Sequence, residues 1–273
     1  MKKNTKTLFY LAIFLYLFII IFPFIWVFLT SLKPEAEIWG AGALKPFGSK
    51  MTFEHYQSLY RGGILTGLKN SLIIATITTT YVTIIASFAA YAIARLKFRG
   101  KTLLMVLILS TSMFPQMIVV GPIYQKFVEL GLTNSYYITL PYSMISLPIS
   151  VFILINHFSQ IPKEMEESAR IDGASKLRTF FSVILPLALP GIFTAAIMTF
   201  IGVWNEFLLS LTLNPDAAWR TAPVAISFLR GQFTVYWGQV TAATVVVTIP
   251  TLLIVLLFQR QIISGITSGA LKE

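Results

Sequence analysis

Apolar runs long enough to cross a bilayer alternate with short polar connections along most of this chain. The first, Leu8 to Thr30, matches the length of a spanning helix and exceeds that of a signal-peptide core. No small-x-small cleavage site follows it, so it is expected to be a retained span. Further runs cover about residues 68–94, Thr102 to Tyr124, a stretch ending before His157, Phe181 to Leu211, and Trp237 to Phe258. The pattern predicts an all-α polytopic membrane protein with six transmembrane helices. Its divisions are 1–67, a first transmembrane helix and outer loop; 68–262, a five-helix core; and 263–273, a tail.

Within that pattern the stretch from Ile161 to Pro190 stands apart as long, polar and charged. Pro162 suits a first helical position because it lacks an amide hydrogen, and Glu164, Glu166 and Glu167 favour the positive end of a helix dipole. Ile161, Met165 and Ala169 form a narrow apolar stripe at four-residue spacing, with Lys163, Glu166, Glu167 and Arg170 on the remaining surface. Gly173 is the expected stop. Such a helix, held outside the bilayer over 161–173, is shaped to dock in a groove of a soluble partner, although a solvated connecting helix has the same pattern.

Other local signals qualify the spans. Pro115, Pro122, Pro141 and Pro148 punctuate the third and fourth, which marks helices that face protein or a water-filled cavity rather than lipid. Thr76, Thr80, Thr83, Ser87, Ala90 and Ala94 line one face of the second; Thr241, Thr244, Thr248 and Thr251 repeat the theme in the sixth. Close helix packing and a polar route both fit these stripes, with packing the simpler expectation. Residues 31–67 form the longest outer loop, open to an external partner or merely solvated, with Thr52 placed to cap a short helix. In the fifth span, Asn205 and Glu206 are candidate pathway residues. Their depth, near the far edge of the hydrocarbon core, equally fits an interfacial role for Glu206.

Composition agrees. The 273 residues are 56% hydrophobic and 12% charged, too little polar surface to coat a soluble globule. The net charge of +10 does not point to nucleic acid, because the charges fall between apolar runs. With the amino terminus inside, thirteen of the 21 basic residues lie on the cytosolic side, which sets both termini there. Trp26, Trp204 and Trp237 near span ends, with Trp39 and Trp219 in outer loops, are placed as an interfacial belt. There is no cysteine, and His55 and His157 are isolated, ordinary loop residues by position, so no metal site is expected. Gly100-Lys101-Thr102 lacks the earlier glycine of a phosphate-binding loop, where Arg95 stands instead. No catalytic constellation is visible either, so the chain is not expected to be an enzyme.

The spacing Glu167-Ser168-Ala169, Asp172-Gly173-Ala174, Val183 and Leu185-Pro186 resembles the Glu-Ala-Ala loop of permease subunits of bacterial ABC importers. Ser168 stands for the first alanine and Val183 for an isoleucine. NSLIIA, AYAIARLKFRGK, MFPQMIVVGPIYQKFVELGLTNSYY, the WNEF quartet and SGITSGALK extend the resemblance over nearly the whole chain, to the smaller permease of carbohydrate ABC importers of the maltose-transport type.

That resemblance implies a multi-pass protein of the bacterial cytoplasmic membrane that imports a sugar or oligosaccharide. Its implied partners are a second, homologous permease, two ATP-binding subunits that hold ATP and Mg, and an extracytoplasmic solute-binding protein. Glu167, Ser168, Ala169, Asp172, Gly173, Leu185 and Pro186 would couple to the ATPase, and the tail through Gly265, Gly269 and Lys272 would lie against it. Glycerol phosphate importers share the pattern. A secondary transporter working without an ATPase is the alternative of a different class; against it, only Glu206 among the ionisable groups is even marginally intramembrane.

Overall fold

The computed structural model describes residues 3–230 and 234–270. It is helical throughout, and among the described residues extended pairing is limited to one antiparallel bridge between Arg230 and Val235. Among the described residues, four helices are long and apolar enough to cross a membrane, and up to six spans result if each of two bent helix pairs counts as one.

The chain divides into two units. One holds the residues up to Leu65 together with Ala225–Ile249. Its first helix, α1 (Lys3–Ser31), is apolar around its circumference and largely exposed, as a lipid-facing span must be. The segment after it is no free linker. Helices α2 (Glu35–Ile38) and α3 (Glu54–Ser58) form there, with Phe53 rather than the expected Thr52 at the N-cap of α3; the Thr52 hydroxyl, one residue earlier, accepts from the Glu54 amide. Lys33 is only 2% exposed; its ammonium donates to the Ala43 carbonyl and lies 5.0 Å from the Trp26 ring centroid. His55 is buried too, its Nε2 2.8 Å from the Lys33 carbonyl oxygen, so it is not the ordinary loop residue its position suggests. The Glu35 carboxylate accepts from the Trp237 and Gly238 amides, each at 3.0 Å, where the positive end of a long helix favours it.

The other unit runs from Thr66 to Val224 and resumes at Pro250. Helix α4 (Ile64–Arg95) leads into α5 (Lys101–Thr111) and α6 (Gln116–Glu129), and α7 (Thr139–Gln160) is followed by the polar loop with α8 (Glu164–Ile171) and α9 (Lys176–Thr179). A π-helical turn, Phe180–Ile184, precedes α10 (Leu185–Leu187) and α11 (Leu189–Trp204). Then come α12 (Leu208–Leu213), α13 (Ala222–Ser227) and α14 (Trp237–Ala270). Helix α7 packs along α11 through a buried Ser150–Thr199 hydroxyl pair at 2.8 Å and a close approach at Gly191, where a Cβ would sit 2.4 Å from His157 Cγ. The core joins Ala86, Ala90 and Tyr91 of α4 to Leu154 and Phe158 of α7 and to Phe180 and Ile184 of the π turn.

Two expected spans are not single rods. The third breaks at Ser112–Pro115, with α5 and α6 meeting at 88°. The fifth breaks at Ala188, where two axes meet at 76°, and ends at Trp204, with α12 a separate helix. Proline explains both bends. Pro115 supplies no amide to continue α5, and Pro186 and Pro190, neither with an amide to donate, flank the break at Ala188. The π turn, in which the Leu185 amide reaches back to the Phe180 carbonyl, adjoins the first of these gaps. Pro148, by contrast, is absorbed within a continuous α7.

The threonine stripes are partly corrected. The buried face of α4 runs through Ile74, Thr78, Val82, Ala86 and Ala90, whereas Thr76 and Thr80 are exposed. In α14 the hydroxyls of Thr241, Thr244 and Thr248 donate to carbonyls of their own preceding turn. Trp204 is buried and stacks on Phe200, a core position rather than a belt position.

Candidate functional site

Helix α8 begins two residues after Pro162, with the Lys163 carbonyl accepting from the amides of Glu166 and Glu167. Its end is fully specified. The Ala174 amide donates to the Ala169 carbonyl at 2.9 Å and the Gly173 amide to that of Arg170 at 3.0 Å, a Schellman pair with Gly173 at φ +79°. Ser175 then caps α9, its hydroxyl oxygen accepting from the Arg178 amide.

The loop turns one face inward and one outward. Ala169 and Glu166 are buried, while Glu167, Ser168, Asp172 and Gly173 are exposed. Met165 is exposed as well, so the expected stripe of Ile161, Met165 and Ala169 is not the buried one. Glu166 replaces Met165 in it because Arg95, the last residue of α4, reaches beneath α8 and pairs with it at 3.0 Å. The exposed side carries Ile171, 87% accessible, and Leu177 among charged neighbours, apolar surface that water alone does not favour. Leu185 and Pro186 do not join this face. Leu185 packs against the core, and Pro186 sits at the bend between the π turn and α11.

A second assembly lies where α11 ends. A cavity of about 340 Å³ is lined by Gln116, Tyr142, Ile145, Ser146, Gly202, Val203, Asn205, Glu206, Phe207 and Leu208. The bent third span brings Gln116 there as the first residue of α6, and α7 brings Tyr142, 1% exposed, with its hydroxyl beside Glu206 and Ser210. Both Glu206 oxygens are engaged: Oε1 accepts from the Leu209 amide at 2.8 Å and Oε2 from the Ser210 amide at 3.2 Å, so the carboxylate caps α12. Asn205 is exposed, its amide nitrogen donating to the Ile201 carbonyl. The lining is thus one carboxylate with amide and hydroxyl groups on apolar walls. Sequence spacing could not assemble Gln116, Tyr142 and Ser146 with Asn205 and Glu206; the proline before Gln116 was the available hint.

Among the described residues no cluster of three His, Asp or Glu is placed to hold a metal. Of the tail residues, Gly265 and Gly269 fall within α14, and Lys272 lies outside the described residues.

The family model described as binding-protein-dependent transport system inner membrane component matches residues 82–268. The trehalose/maltose transport system permease protein MalG of Thermococcus litoralis is 40% identical over 259 residues, covering 93% of this chain and 92% of that protein. The trehalose transport system permease protein SugB of Mycobacterium tuberculosis is 41% identical, covering 92% of each. The sulfoquinovosyl glycerol permease protein SmoH of Agrobacterium fabrum is 37% identical over 92% of this chain and 89% of its own. Among solved structures, a bacterial ABC transporter that imports the acidic polysaccharide alginate superposes with a TM-score of 0.81 over 94% of this chain and 96% of that one, at 19% identity.

Proposed function

Because this chain belongs to the family of binding-protein-dependent transport system inner membrane components, we propose that it is a permease subunit of an ATP-driven sugar or oligosaccharide importer. It works in the cytoplasmic membrane as a multi-pass protein, with six spans when each bent pair counts as one and with both termini in the cytosol. Its solute arrives from an extracytoplasmic binding protein. A second permease pairs with it, and two ATPase subunits hold ATP and Mg.

The observation that carries this reading is the two-sided construction of α8, locked into the core by Ala169 and Glu166 and presenting Glu167, Ser168, Asp172 and Gly173 outward. A merely solvated connection needs no such anchoring, and exposed Ile171 and Leu177 suit a groove on a soluble subunit. Closure of the ATPase dimer carries α8 with its groove, and the spans switch which side the cavity faces. The tail from Gly265 to Lys272 is assigned to the same ATPase face.

The cavity at Asn205 and Glu206 is assigned to the pathway. Amide and hydroxyl groups of Gln116, Tyr142, Ser146 and Asn205 on apolar walls suit the mixed polarity of a sugar ring. The test is purification of the tagged chain from its native membranes with identification of what accompanies it, followed by uptake of labelled trehalose, maltose and glycerol phosphate into proteoliposomes with and without ATP. An ATP-hydrolysing subunit, a second permease and ATP-dependent sugar uptake are expected. Uptake by the chain alone, without ATP, would instead make it a secondary transporter.

A further inference from the structure

Charged side chains are seldom buried unless paired, and the connection between α4 and α8 holds such a pair. Arg95 closes α4 with its side chain 4% exposed, and Glu166 on α8 has its own 7% exposed. Arg95 Nε lies 3.0 Å from Glu166 Oε1, while Nη2 of the same guanidinium donates to the carbonyl of Ile161, the residue that follows α7. Arg170, one turn further along α8, approaches the other Glu166 oxygen at 3.7 Å from the solvent side. Beneath the pair lie Tyr91 and Phe180, ring centroids 4.9 Å apart, with Phe158 edge-on to both. The pair is largely shielded from water, and the one guanidinium ties the end of α4 to two points of the stretch that follows α7, the Ile161 carbonyl and the Glu166 carboxylate.

We propose that Arg95 and Glu166 form a clamp that makes α8 move as one body with the adjoining ends of α4 and α7, and so transmits the partner's motion to the spans. This rests on the reading of α8 as the helix that meets the ATPase. The two residues touch neither nucleotide nor solute; they are positioning residues. Adjacent carboxylates divide the labour, Glu167 facing outward to the partner and Glu166 inward to the clamp. Covalently, α8 joins the rest only through Ile161–Lys163 on one side and the Gly173 turn on the other. Without the clamp, a push on α8 is taken up by bending at those two short connections. An exposed pair would be too weak and too pliable for this, whereas a buried pair strongly resists separation of its charges.

The test uses the assembled importer in proteoliposomes. The chain has no cysteine, so Lys97→Cys, just past α4, and Glu164→Cys, at the start of α8, give two exposed positions for spin labels. The clamp requires their separation to hold within about 2 Å between nucleotide-free and ATP-trapped states. A larger change overturns it. Independently, Arg95→Met with Glu166→Met removes both charges together and leaves neither orphaned. That double variant is expected to assemble and hydrolyse ATP while solute moved per ATP falls about tenfold, within the range a coupling residue controls. The pair exchanged as Arg95→Glu with Glu166→Arg is expected to recover part of the ratio lost in either single variant. An unchanged ratio in the assembled double variant overturns the clamp alone. Should that variant fail to assemble, the spin-label distance decides. A wild-type chain that transports with no ATP-hydrolysing partner overturns the reading of α8, and the clamp's role with it.

Discussion

Replacing Gly173 separates three effects that a single variant confounds. The residue holds φ +79°, and a Cβ built there would meet nothing within 4 Å, so added bulk meets no other part of the chain. Gly173→Ala therefore incurs only the left-handed backbone penalty, about 1–2 kcal/mol for an L-residue. That corresponds to about a 5–30-fold loss in the population of the capped loop end. Gly173→Asn, although larger, visits this region routinely and should lose much less. Gly173→Asp resembles asparagine in size and backbone preference and adds a negative charge on the outward face.

The local assay is hydrogen exchange at the Gly173 and Ala174 amides, which are protected by the Arg170 and Ala169 carbonyls. Exchange should accelerate 5–30-fold in alanine, by about that free-energy loss, and little in asparagine. The functional assay is ATP hydrolysis and sugar uptake by the reconstituted importer. Aspartate is expected to uncouple uptake from hydrolysis while asparagine remains near wild type. Asparagine performing worse than alanine would refute the conformational argument, and aspartate matching asparagine in transport would refute the placement of Gly173 against a partner.

Three further outcomes follow from individual contacts. Gly191→Ala forces a methyl group into the His157 ring, 2.4 Å from Cγ, and should destabilise the α7–α11 packing by about 1–3 kcal/mol, read as a lower Tm in detergent and partly relieved by His157→Ala. Glu206→Ala frees the Leu209 and Ser210 amides and should cost about 0.5–2 kcal/mol as a lost cap. Glu206→Gln separates the two roles of that residue, since a raised KM for uptake in a stable Gln variant marks contact with solute, whereas a KM left at the wild-type value confines Glu206 to capping. In the loop after α1, hydrogen bonds from the Ser49 hydroxyl and amide hold the Glu37 carboxyl below its ordinary 4.5. Because the folded value is depressed, the stabilisation is complete above the ordinary value and lost as pH falls through the folded one. Proteolysis near Ser49 should rise below pH 4.5 in wild type and be pH-independent there in Glu37→Gln.

Resemblance to a family and local pattern made much of this protein legible from its residues. Glu167, Asp172 and Gly173 stand where the sequence places them, on an exposed loop that ends at a left-handed glycine, because a helix terminus is specified within a few residues by its own hydrogen bonds. Leu185 and Pro186, matched by spacing alone, lie apart from that face, beside a bend at Ala188 that Pro186 and Pro190 flank.

The sequence by itself determined that this chain lives in a bilayer. Long apolar runs have no stable alternative in water, and the backbone inside lipid must satisfy its own hydrogen bonds. It also determined where helices can end, since capping is local. Only the tertiary structure decided which charges are buried and which residues share a cavity. Glu166 reads as a solvent-facing residue until Arg95, on another helix, is placed beneath it; Lys33 and His55 read as loop residues until Trp26 and a backbone carbonyl enclose them. Gln116, the first residue after the 88° bend between α5 and α6, joins Tyr142 and Glu206 at one cavity through packing that no local spacing shows. Hydropathy and capping are set by neighbours along the chain, whereas desolvation and pairing depend on what packs across from a residue.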